Sequence, residues 1–210
     1  MEKKALFVLV GSLLGASLAA CASFQAREHL ESGVENYLQG NFDLAIEEFT
    51  EAIALDPQFA SAYNNRGFAY ASQGDFDRAI ADYDQAIELD PEDAANYNSR
   101  GISYLVKDDY DRAIADFDKA IELDPEHARY YFNRGRAYHD KGDYDRAIAD
   151  SDQAIELDPQ LADAYFIRGS AYFFRGDRDR AIAELERALE LGLDQSTKQA
   201  AEELLEELRQ

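Results

Sequence analysis

The sequence predicts an all-α fold of five tandem helical hairpins closed by a carboxy-terminal helix, on three residue types that recur with one period. All four prolines, Pro57, Pro91, Pro125 and Pro159, are spaced by 34 residues. Glycines keep that period in two series, Gly33, Gly67, Gly101, Gly135 and Gly169, then Gly40, Gly74, Gly142 and Gly176, with Asp108 in the gap. Alanines keep it at Ala45, Ala79, Ala113, Ala147 and Ala181, and again at Ala52, Ala86, Ala120, Ala154 and Ala188. Such a period marks a repeat array, in which each copy buries its apolar surface by stacking on its neighbours.

In chain order, the first element is a leader. Glu2, Lys3 and Lys4 precede an apolar run from Ala5 to Ala20, broken only by Gly11, Ser12, Gly15 and Ser17. This is a signal-peptide layout over residues 1–20. The run closes on Leu18-Ala19-Ala20-Cys21, which resembles the lipobox of bacterial lipoproteins. The resemblance implies that Cys21 becomes the first residue of the mature chain, carrying a diacylglyceryl group on sulfur and a further acyl chain, such as palmitate, on nitrogen. Several acyl chains anchor stably where one is marginal, because each buried methylene contributes about 0.8 kcal/mol. A plain secretory signal and an uncleaved anchor are the alternatives, the latter short for a span of about 20 residues. Residues 21–25 are then the lipidated cysteine and a short linker, whose four extended residues reach about 14 Å. Ala22 after the cysteine resembles, by enteric sorting rules, a signal for the periplasmic face of the outer membrane.

The copies run 26–59, 60–93, 94–127, 128–161 and 162–195. Phe76, Ala79, Ile80, Tyr83, Ala86 and Ile87 recur at three- and four-residue steps, one face of an amphipathic second helix. The first helix carries Tyr63, Gly67 and Tyr70 and ends near Gly74-Asp75. A glycine inside a helix costs about 1 kcal/mol against alanine, so its recurrence implies close backbone contact there. Residues 196–210 place Leu204, Leu205 and Leu208 at helical spacing among glutamates, as a cap requires.

The formal charge is −22, and loss of residues 1–20 makes it one unit more negative. Such a field repels phosphate backbones, so nucleic acid is not an expected partner. His29, His127 and His139 form no His-Glu-x-x-His arrangement, and the acids recur with the repeat rather than forming one asymmetric site. The turn Lys107 to Asp111 lacks EF-hand spacing, and Cys21 is the single cysteine. No enzyme activity, cofactor or metal is expected.

The pattern Tyr63, Gly67, Tyr70, Gly74, Phe76, Ala79, Tyr83, Ala86, Pro91 resembles the tetratricopeptide repeat (TPR) over residues 26–195. The resemblance implies a right-handed superhelical solenoid whose concave face is lined by the first helix of each hairpin. Mapped here, that face comprises Leu30, Val34, Tyr37, Asn64, Phe68, Asn98, Ile102, Leu105, Arg129, Phe132, Arg136, His139, Phe166, Phe173 and Phe174. Individually each serves equally well for packing between repeats; as a set they favour a groove for a protein or peptide. Arg129, Phe132, Arg136 and Phe166 are residue types that anchor interfaces. The lysine, asparagine and arginine clamp by which some members hold a free carboxylate is not supplied by any three successive copies. The resemblance thus implies a membrane-anchored adaptor of the bacterial cell envelope or, alternatively, a structural subunit of an outer-membrane or pilus assembly machine.

Two features test this reading. Arg66, Arg100, Arg134 and Arg168 each precede an acid by sixteen residues, Asp82, Asp116, Asp150 and Glu184, and are expected to pair across the hairpin. The competing donors are Arg78, Arg112, Arg146 and Arg180, four residues before the acids. Copy one has Ser32 and Glu48 instead, and copy four has Ser151 where Phe49, Tyr83 and Phe117 stand elsewhere, with nothing in the sequence to fill the space.

Overall fold

A computed structural model describes residues 22–210; Cys21 and the leader lie outside the described residues. The described residues divide into two compact units, one ending at Pro91 and the other Glu92–Gln210. Among the described residues all regular structure is helical. The first unit holds α1 (22–38), α2 (Phe42–Leu55), α3 (Ala60–Ser72) and α4 (Phe76–Leu89). The second holds α5 (Ala94–Val106), α6 (Tyr110–Leu123), α7 (Ala128–Asp140), α8 (Tyr144–Leu157), α9 (Ala162–Phe174), α10 (Arg178–Leu191) and α11 (Gln195–Arg209). Odd-numbered helices up to α9 are the first helix of a hairpin and even-numbered ones the second.

The internal glycines are where the paired helices approach. A Cβ on Gly67 would stand 2.7 Å from Tyr83 Cε1, on Gly33 2.5 Å from Phe49 Cε1, and on Gly101 2.7 Å from Phe117 Cε1. Glycine thus gives up helix propensity so that a buried ring can lie against the backbone.

The turn inside each hairpin is a second device written into the repeat. Gly74 has φ +81°, and the Gly74 and Asp75 amides donate to the carbonyls of Ala71 and Tyr70, each at 2.9 Å. This pairing satisfies the last carbonyls of α3. Asp75 then caps α4, its carboxylate accepting from the Arg78 amide at 3.0 Å and from Arg78 Nε at 2.6 Å. The Arg78 guanidinium lies 4.3 Å from the centre of the Tyr70 ring. Copies three to five repeat the arrangement with Tyr104, Asp109 and Arg112; Tyr138, Asp143 and Arg146; Tyr172, Asp177 and Arg180. Asp108 fills the glycine gap at φ +57°, a left-handed conformation that aspartate tolerates better than most residues.

In the first unit the core gathers Ala45, Phe49 and Ala69, with Leu30, Val34, Tyr37 and Ile46 packed against them. In the second, the largest cluster joins Tyr138, Ile148, Tyr172 and Leu185 to Ala201, Leu205 and Leu208 of α11, so the terminal helix covers the last hairpin as a cap. Asp194 starts α11 by accepting from the Ser196 and Thr197 amides at 2.9 and 3.2 Å.

One expectation needs correction. Residues 22–25 are helical and belong to α1 rather than to an extended linker. At about 1.5 Å rise per residue they span about 6 Å, less than half the extended reach. Copy four is closed without an aromatic ring: Ser151 is fully buried, and its hydroxyl has no hydrogen-bond partner among the described residues. Ile148 lies in the core there, whereas Ile46, Ile80, Ile114 and Ile182 at the same register stay partly exposed.

Candidate partner-binding face

The arginine series sets which way each first helix faces. Arg66 Nε and Nη2 donate to the two oxygens of Asp82, both at 2.8 Å. Arg100 meets Asp116 at 2.9 and 2.7 Å, and Arg134 meets Asp150 at 2.8 and 2.7 Å, in the same two-pronged geometry. Pairing across the hairpin is therefore what forms, while the Arg78 series serves the turns. Burial pushes the Asp150 carboxyl above its ordinary value, against the pull of Arg134. Glu184 is one methylene longer and takes only Arg168 Nη2, at 2.6 Å, which leaves Arg168 Nε buried without a partner among the described residues. In copy one His29 Nδ1 meets Glu48 at 2.7 Å, so an imidazole does what the guanidinium does elsewhere.

These arginines also join neighbouring hairpins. A second Arg134 nitrogen donates to Asp118 at 2.6 Å, a second Arg168 nitrogen to Asp152 at 2.5 Å, and in the first unit Arg66 Nη1 donates to Thr50 at 3.1 Å. At 3.6 residues per turn, positions two apart point to opposite sides of a helix. Arg66 lies between Asn64 and Phe68, Arg100 between Asn98 and Ile102, and Arg134 between Phe132 and Arg136. Tying the arginine inward turns its neighbours outward.

The predicted groove residues divide between packing and exposure. In the first unit Leu30, Val34 and Tyr37 pack on the core, the Tyr37 hydroxyl lying 3.0 Å from Ser72 Oγ, while Asn64 is part-buried and Phe68 is exposed. In the second unit Leu105 is buried, and Phe132, Phe166 and Phe173 pack partly on the core. Ile102, Arg129, Arg136 and Phe174 are exposed. Asn98 accepts a hydrogen bond from Asn133 at 2.8 Å, and His139 Nε2 lies 2.8 Å from Ser170 Oγ.

Within the second unit α5, α7 and α9 are neighbours, and α9 also touches α11. Between the last three of these helices lies a cavity of about 490 Å3. Phe132, Arg136, His139 and Phe166, four of the expected groove residues, line it together with Asp163, Ser170 and Asp194. Beside it Phe174 stacks on Tyr144, ring centres 5.1 Å apart and planes 8° from parallel, with His139 and Phe173 edge-on to Phe174 at 5.7 and 5.2 Å.

Sequence reasoning missed Leu38 and Val106, 79% and 50% exposed. The signal was available: with Phe174, at 53%, they share one register, 38, 106 and 174, at the last turn of a first helix. Phe68 and Ile102 share the register four residues earlier. Asp163 and Asp194 were missed because neither belongs to a repeated series. Among the described residues no three histidine, cysteine or acidic side chains gather as a metal site, and no helix is long and apolar enough to cross a membrane.

Family models described as tetratricopeptide repeat match residues 60–93, 98–162 and 162–191, and one described as TPR repeat matches residues 33–74. No curated protein matches the chain. Among solved structures, that of MamA is 29% identical, covers 76% of this chain and 93% of its own, and superposes with a TM-score of 0.70. YrrB, a TPR protein with an unusual peptide-binding site, is 20% identical over 83% of this chain and 90% of its own, with a TM-score of 0.68. Pseudomonas aeruginosa pilF is 14% identical over 89% and 90%, with a TM-score of 0.75. The last two likenesses show the fold alone.

Proposed function

Because this chain is a tetratricopeptide-repeat protein, we propose that it is a non-enzymatic adaptor, lipid-anchored in the bacterial cell envelope through Cys21, that binds a peptide or protein segment on the exposed side of its first helices. One observation carries the reading of the face. Most of the large apolar side chains left exposed fall on two registers of the first helix, Leu38, Val106 and Phe174 on one and Phe68 and Ile102 on the other. Repeated apolar exposure in an otherwise acidic chain is the mark of a surface kept for a partner. YrrB, with the same fold, is described by its peptide-binding site, which agrees with this use.

The anchor rests on Leu18 to Cys21 and the apolar run before it, and the outer-membrane destination on Ala22. Replacing Cys21→Ser should move the protein from membrane to soluble fractions; unchanged partitioning removes the anchor. The face is tested by placing a photocrosslinker in living cells at Phe132, Phe166 or Phe174, and at the exposed second-helix positions Ala115 and Ala149 as controls. One defined partner captured from the first set is expected. Capture from the controls alone overturns the face.

A further inference from the structure

The cavity between α7, α9 and α11 sets carboxylates beside part-buried aromatic side chains. Phe132 and Phe166 supply the apolar walls, and Asp140, Asp163 and Asp194 stand around them. Two of these acids have structural work. Asp194 caps α11 and accepts from the Thr197 and Ser196 hydroxyls at 2.6 and 2.7 Å. Asp140 lies 3.1 Å from His139 Nδ1 and 3.8 Å from Arg136 Nε. Asp163 is different. It is part-buried, it lines the cavity, and it makes no ion pair or side-chain hydrogen bond among the described residues.

Nor does the repeat explain it. The register of Asp163 holds Arg27, Ser61, Ala95 and Arg129 in the other copies, and neither α3, α5 nor α7 has an acid in its first turn. One guanidinium, that of Arg136, lines the cavity with the three carboxylates and approaches only Asp140, at 3.8 Å, in a chain of charge −22. The local field is therefore negative in a pocket whose walls are aromatic. We propose that this cavity takes an extended, basic segment of the partner, seating an aliphatic or aromatic side chain against Phe132 and Phe166 and the lysine or arginine beside it on Asp163. The segment's cation supplies the charge that the cavity lacks, and its apolar neighbour fills a volume within the range of side-chain and ligand sites. This rests on the reading of the first-helix face and adds the chemistry of what binds there.

The test uses the full mature chain and three fluorescein-labelled hexapeptides read by anisotropy: Gly-Lys-Phe-Lys-Phe-Gly and its counterparts with glutamine or glutamate for lysine. The basic probe should bind most tightly, and its affinity should fall between about 0.05 M and about 0.5 M salt as the charges are screened. Asp163→Asn should weaken the basic probe about threefold or more, the size of a single exposed ion pair, and leave the glutamine probe unchanged. Phe166→Ala should weaken both, and thermal unfolding confirms that each variant is folded. Equal binding of the three probes, indifference to Asp163→Asn, or no binding of the basic probe overturns the proposal. In each of those cases capture by the crosslinker at Phe166 still decides the face independently: a partner caught there leaves the adaptor reading standing and removes only the basic-segment chemistry.

Discussion

Substituting Gly67→Ala isolates the contact that sets how closely a hairpin closes. The new methyl would lie 2.7, 3.0 and 3.1 Å from three atoms of the Tyr83 ring. Carbon atoms rest at about 3.5 to 4.0 Å, so the ring or the helix must move by several tenths of an ångström. Tyr83 is 1% exposed and packs edge-on to Phe68 at 5.8 Å, which leaves it little room. Overpacking of this kind costs about 1–3 kcal/mol, against about 1 kcal/mol gained in helix propensity. Gly135→Ala gains the same propensity, but its methyl has no ring against it: its nearest contacts are Asp150 Cβ at 3.2 Å, the Ala147 carbonyl at 3.4 Å and Ser151 Oγ at 3.6 Å. The difference between the two variants thus cancels propensity and leaves the ring contact, about 1–3 kcal/mol in favour of Gly135→Ala. Urea unfolding followed by circular dichroism measures it. Hydrogen exchange on α3 and α4 shows whether the loss is local, since repeat arrays need not unfold in one step. Equal midpoints for the two variants, or a Gly67→Ala protein more stable than its parent, would refute the argument.

Three further outcomes follow from the same geometry. Ser151→Ala removes a buried hydroxyl that has no partner among the described residues and should raise the urea midpoint, by about 1 kcal/mol in stability. Arg134→Met strands the buried Asp150 and should cost about 3 kcal/mol by the same measurement, most of it recovered in the double variant with Asp150→Leu. Hydrogen bonds from Thr197 and Ser196 hold the Asp194 carboxyl well below its ordinary value, and hydrogen bonds from Arg146 and Arg180 lower those of Asp143 and Asp177. A carboxyl whose value is lowered on folding contributes stability that is present above the unfolded value, about 3.9, and is lost as pH falls below it. Asp194→Asn should therefore lower the protection of α11 in hydrogen exchange at neutral pH and flatten its loss below about pH 4; an unchanged acid profile would contradict the cap assignment.

The repeat was legible because each periodic residue answers a backbone demand that recurs. Gly67 admits a ring, Gly74 supplies a left-handed turn, and Asp75 starts the next helix, so the fold repeats wherever those demands do. The pairing of Arg66 with Asp82 was legible for the same reason, since a donor and an acceptor kept their spacing through four copies. What the period does not carry was lost. The helical state of residues 22–25 continues α1 beyond the copy boundary, and the burial of Ile148, unlike its counterparts in the other copies, shows only in three-dimensional packing. The division of the groove residues was hidden too. Leu105 and Phe174 have similar hydrophobicity, yet one sits at a register that faces the core and the other, one residue further round the helix, projects outward. This sorts the two kinds of information that the chain holds. Residues obeying the period build hairpins and orient their first helices, and five identical copies would present five identical faces. Discrimination between partners must then lie where the period is broken: Asp163 against Arg129, Phe132 and Phe166 against Asn64 and Asn98, Arg136 against Phe68. Those departures concentrate at the cavity of the last two hairpins, which is why exchanging Asp163 or Phe166 should change what binds while leaving the array intact.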